Sequence, residues 1–103
     1  MAQHAYKTLA EAVEDFKKRG FIANFELLNK QFRAVDSGRT FTADQLTIVE
    51  HHRFEGASDP DDMSVLYAIE AQDGTRGTIA DAFGPQANPE LGWFLKHVTM
   101  HEV

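Results

Sequence analysis

The dipeptide Asp73-Gly74 constrains this chain more than any other two residues, because the segments on either side of it both alternate with a period of two. Met63 to Gln72 places Met63, Val65, Tyr67, Ile69 and Ala71 on one face and Ser64, Leu66, Ala68 and Glu70 on the other. Arg76 to Phe83 likewise sets Gly77, Ile79, Asp81 and Phe83 against Thr78, Ala80 and Ala82. Asp-Gly is a hairpin signal, so the two segments read as an antiparallel pair. A third alternating run predicts Leu46, Ile48, Glu50, His52 and Phe54 on one side and Thr47, Val49, His51, Arg53 and Glu55 on the other.

Helices are expected at both ends. Thr8 with Glu11 has capping-box spacing, and Leu9, Ala12, Val13 and Phe16 form one apolar stripe of a helix over residues 8–19. Gly20 is its natural left-handed stop, with Phe21 folding back on the last turn. Near the other end Asn88 caps a helix that has Pro89 in its first turn and Leu91, Phe94, Leu95 and Val98 on its apolar side. Asn24 to Leu28 is a strand, running on weakly through Phe32 and Val35 to the turn Asp36-Ser37-Gly38. Thr42 to Gln45 reads as a turn leading into the Leu46 strand.

The predicted fold is therefore α+β, a single domain over residues 1–103. Its order is N-terminal helix, four-stranded antiparallel sheet and short C-terminal helix, in two layers with one or both helices covering one sheet face. Val49, Leu66, Ala68, Ala80 and Ala82 would then form an uncovered apolar area on the other face, which predicts a homodimer.

Charge bears on partners. The formal net charge is −6. Residues 1–39 hold seven Lys/Arg against five Asp/Glu, while residues 40–90 hold ten Asp/Glu against Arg53 and Arg76 alone. Such a field repels phosphate backbones, so no nucleic-acid partner is expected. No segment approaches the roughly 18 apolar residues that span a bilayer, and the start lacks a basic region leading into an apolar run. With no cysteine in the chain, a cytoplasmic location without membrane contact is expected.

Chemistry-bearing residues are few. In Glu50-His51-His52-Arg53-Phe54-Glu55 the two imidazoles fall on opposite strand faces and cannot both ligate one metal, so no metal site is expected. Asp59, Asp61 and Asp62 lack the full pattern of a calcium loop and read as a turn. Asp81 lies between Ile79 and Phe83 on an inward face, where a carboxylate needs a partner; Arg53, Arg76 or Tyr67 could supply one. The predicted ligand pocket is Arg53, Tyr67, Asp81 and His52, with His52 and Arg53 as alternatives unless the strand bulges. No nucleophile elbow, dinucleotide loop, zinc signature or Cys/His pair is present, no cofactor is expected, and no catalytic residue is assigned. Trp93 beside Phe94 reads first as core packing with one edge exposed, with a partner surface as the alternative.

Several segments carry a resemblance. They are Thr8-Leu9-Ala10-Glu11-Ala12, Lys17 to Phe21, Arg53-Phe54-Glu55-Gly56, Pro60-Asp61-Asp62, Val65 to Ile69 and Gly77 to Gly84. Over residues 6 to about 84 they resemble a family of small bacterial proteins common in the Bacteroidetes and sometimes labelled phosphoribosylpyrophosphate synthetase. That label implies Mg²⁺-ribose and phosphate sites plus an ATP site. This chain has no strand running into Asp-Asp and a phosphate loop, no Walker A motif and too few residues for both sites, which excludes synthetase activity. The expected function is a non-enzymatic accessory domain acting by self-association or binding of another protein. The alternative is a small-ligand or anion-binding protein, with or without catalysis, that uses the cluster around Arg53, Tyr67 and Asp81.

Overall fold

A computed structural model of the protein describes residues 9–54, 64–82 and 88–101, with only the backbone of Ala82. The Thr8 cap, the Asp59 to Asp62 turn and Phe83 to Pro85 lie outside the described residues.

Helix α1 spans Leu9–Lys18 and buries Ala12 and Phe16. It ends where Gly20 takes a φ of +100°. The N–H of Phe21 reaches the carbonyl of Phe16 at 2.8 Å and that of Gly20 reaches Lys17 at 3.1 Å, the paired bonds of a Schellman cap. The Phe16 and Phe21 rings meet edge to face, 5.6 Å between centroids. Helix α2 spans Pro89–Lys96, and Asn88 Oδ1 accepts from the N–H groups of Glu90 (3.0 Å) and Leu91 (3.4 Å).

The sheet corrects the four-stranded antiparallel expectation. Its strands are β1 Ala23–Leu28, β2 Gln31–Ala34, β3 Thr40–Phe41, β4 Leu46–Phe54, β5 Ser64–Ala71, β6 Arg76–Ala82 and β7 Thr99–Met100. They form one mixed seven-stranded sheet in the order β3-β2-β1-β6-β5-β4-β7. The weak continuation after Leu28 is a second strand, because Asn29 (φ 52°) and Lys30 (φ 63°) close a two-residue turn. Two seams are parallel: β1 with β6 through Ala23↔Gly77 and Asn24↔Thr78, and β4 with β7 through Thr47↔Thr99 and Ile48↔Met100. Between β3 and β4, Ala43–Gln45 makes a single 3-10 turn, with the Gln45 side chain accepting from the Thr42 N–H at 2.9 Å.

The two-layer expectation is also corrected, since the helices lie on opposite faces. Under α1 sit Ala12, Phe16, Phe21, Leu66 and Ala68, with Val49 and Phe54 packed beside them. Around α2 the sheet curls: Phe25, Phe32 and Phe41 from β1 to β3, and Leu46, Ile48, Ile69 and Ile79 from β4 to β6, share one cluster with Leu91 and Phe94. Phe32 stacks on Phe94 at 4.3 Å between centroids. The curl is fastened by Arg39 to Asp73 (2.6 Å) and by the Gln72 N–H to the Gln45 carbonyl (2.9 Å).

Strand β4 does not keep one alternation. Its register against β5 runs Leu46↔Ala71, Thr47↔Glu70, Ile48↔Ile69, then skips to Glu50↔Ala68. Val49 is the extra residue of a β-bulge, which turns every later side chain over. Leu46 and Ile48 therefore face α2, whereas Glu50, His52 and Phe54 face α1.

Candidate functional site

The bulge decides which predicted site residues meet. Beyond it the cross-strand rows are Arg53↔Val65↔Asp81 and His51↔Tyr67↔Ile79, all on the α2 face. The His51 and Tyr67 rings stack at 6.1 Å between centroids. Burial raises the Tyr67 phenol above its ordinary value, the Asp81 carboxylate raises it further, and Arg53 pulls it back. Arg53, Tyr67 and Asp81 thus share one electrostatic neighbourhood.

Asp81 has a structural duty there. Its Oδ1 accepts the backbone N–H of Asn88 at 3.3 Å, so the carboxylate holds the residue that caps α2 and lies at the positive end of that helix. The sequence suggested Arg53, Arg76 or Tyr67 as the partner; Arg76 instead bonds Glu70 at 3.3 Å.

His52 points to the other face and joins a separate network. Its Nε2 lies 2.6 Å from Glu50 Oε2, and Arg19 at the end of α1 donates to both Glu50 oxygens, at 2.7 and 3.4 Å. Asp15 flanks Arg19 at 3.6 Å, and the guanidinium stands 4.8 Å from the Phe16 ring centroid. The Glu50 carboxyl is held below its ordinary value of 4.5, first by the Arg19 hydrogen bond, against the opposing effect of burial. This network ties the C-terminus of α1 to β4.

The residues expected on an open apolar face fare unevenly. Leu66 and Ala68 are 1% and 0% exposed beneath α1, and Val49 is half-buried beside them. Ala80 is exposed, and the side chain of Ala82 is outside the described set. Within a single chain α1 already covers the centre of that face.

A different surface stands open. Between α2 and the β1–β2 turn lies a mostly apolar cleft of about 330 Å³ lined by Leu27, Lys30, Pro89, Glu90 and Trp93. Trp93 is 55% exposed, and its ring lies 4.4 Å from that of His97 between centroids. At 3.6 residues per turn, position 93 falls roughly opposite the stripe formed by Leu91, Phe94, Leu95 and Val98. That offset was the sequence signal for this surface.

Among the described residues no three His, Asp or Glu side chains converge as a metal ion requires, and no helix is long and apolar enough to cross a membrane. Comparison with protein-family models, curated proteins and solved structures finds no match to this chain.

Proposed function

We propose that this protein is an accessory domain that acts by protein–protein contact through the surface formed by α2 and the β1–β2 turn. The observation that carries the reading is Trp93, a large aromatic side chain 55% exposed at the rim of an apolar cleft. Tryptophan concentrates at interfaces because it buries a large rigid area at little conformational cost, and its truncation is among the most damaging changes a binding surface suffers. The cleft is shallow, as expected of a chain of this size, and the curled sheet holds its walls on regular elements.

Site-specific crosslinking tests this. A photoreactive side chain at position 93 is expected to capture polypeptide when the protein is illuminated in its native host, whereas the same group at exposed Lys96 captures little. Equal yields at the two positions, or none at 93, refute the reading.

A second reading rests on the electrostatic coupling of Arg53, Tyr67 and Asp81, which supports a small-anion site on the α2 face. Its weight is reduced by the bond from Asn88 to Asp81 and by the placement of His52 across the sheet. Titration with inorganic phosphate, read by calorimetry on the wild type and on Arg53→Ala, tests it. Heat that disappears in the variant supports an anion site, and identical traces remove Arg53 from it.

A further inference from the structure

The reading above leaves the partner open, and the inference that follows rests on it. A two-fold interface brings one patch against an inverted copy of itself, so it needs a patch that is its own complement. An apolar centre with a cation on one rim and an anion on the other meets that condition. The cleft supplies these parts: Lys30 with Leu27 from the side of the β1–β2 turn, and Glu90 with Pro89 and Trp93 from α2. Lys30 and Glu90 are both exposed, and neither forms an ion pair with another described residue.

Lys30 carries a second indication. It sits at the second position of the β1–β2 turn with a φ of 63°, where glycine is the favoured residue because a Cβ crowds the backbone. A lysine kept in a left-handed conformation adds a side chain that the turn does not require, at the edge of the cleft. Such outliers point toward function when the side chain faces a candidate site.

We propose that the protein forms a two-fold homodimer through this cleft, with Lys30 of each copy paired to the partner's Glu90 and each Trp93 seated against the other copy. The net charge of −6 opposes association, so the pairing depends on this local complementarity. The cleft supplies only the centre of such an interface, so the association is expected to be weak and reversible.

Trp93 is the chain's one tryptophan, so its emission reports on this surface alone. Sedimentation of the full-length protein is expected to show a reversible dimer, with Trp93 emission moving to the blue and losing acrylamide quenching as concentration rises. Lys30→Glu and Glu90→Lys should each weaken the dimer by about tenfold or more, since like charges then face each other across the axis. The double swap should return the affinity to within about threefold of wild type, because reciprocal pairing is restored. Lys30→Gly separates folding from assembly: thermal stability is unchanged or higher while the dimer weakens.

A chain that stays monomeric at millimolar concentration overturns the proposal, as does a dimer indifferent to Trp93→Ala or one that the double swap fails to recover. Monomeric protein that still captures other polypeptides from position 93 refutes self-pairing alone. No capture at 93 together with a monomer refutes the contact surface as well.

Discussion

Replacing Gly77 with alanine should damage this fold more than its single added methyl group suggests. An ideal Cβ at position 77 would stand 2.2 Å from the carbonyl oxygen of Ala23, 2.7 Å from its carbonyl carbon and 2.8 Å from its Cβ. These are mostly backbone atoms, so relief requires β1 to move by about 1 Å rather than a rotamer to change. Ala23↔Gly77 is also half of the two-pair parallel register by which β1 joins β6. Overpacking of a close-packed site costs about 1–3 kcal/mol, and a seam hydrogen bond lost with it adds about 1 kcal/mol. The expected total is about 3 kcal/mol, a large share of the roughly 5–15 kcal/mol that holds a domain of this size together. At about 4–8 °C per kcal/mol the midpoint should fall by roughly 12–24 °C. Gly92→Ala is the matched control: nothing lies within 4 Å of a Cβ there, and the residue is in the middle of α2. It should raise stability by up to about 1 kcal/mol. Urea and thermal unfolding followed by circular dichroism measure both variants. A loss below about 0.5 kcal/mol in Gly77→Ala, within the range of ordinary surface changes, would refute the close-approach argument.

Three further outcomes follow from the polar contacts. Because Glu50 is held below 4.5 in the folded state, its pairing with Arg19 stabilises the protein above that pH and is lost as pH falls through the lowered value. Glu50→Gln should therefore cost about 1 kcal/mol at neutral pH and progressively less on acidification, and a pH-independent difference would contradict it. The Tyr67 phenol should ionise above 10.0 in an ultraviolet titration, and Asp81→Asn should move it back down; an unchanged midpoint in that variant would remove Asp81 as a cause. Asn88→Ala should cost about 1 kcal/mol through loss of the α2 cap and Asn88→Gly only a few tenths, so equal losses in denaturant titrations would count against capping by the side chain.

What the sequence disclosed follows the range over which each signal acts. The end of α1 was legible because Gly20 and Phe21 complete a cap within one turn. The β5–β6 hairpin was legible through Asp73-Gly74, and period-two alternation correctly separated His51 from His52. The β1–β2 turn was not, since Asn29-Lys30 puts a lysine where glycine is the usual marker. Seams such as Ala23↔Gly77 join distant residues over two positions and leave no local pattern. The bulge at Val49 likewise substitutes one apolar residue into an unbroken apolar and polar rhythm, so the side on which Glu50 and His52 fall could be read only from the register. Alternation puts Tyr67 and Asp81 on like faces of their strands, but it made Arg53 and His52 alternatives, and only the bulge brings Arg53 onto the Asp81 row; the bond from Asn88 to Asp81 depends on where α2 begins in space.

Val49 also acts as a switch in the grammar of the strand. Were Val49 paired with Ala68 rather than left as the extra residue, every later residue of β4 would slip by one, carrying Arg53 beneath α1 and Glu50 away from Arg19. Whether this position is bulged or paired thus decides the entire chemistry offered to each helix, so among homologous chains the strand pairing here would be more telling than the identity of any histidine.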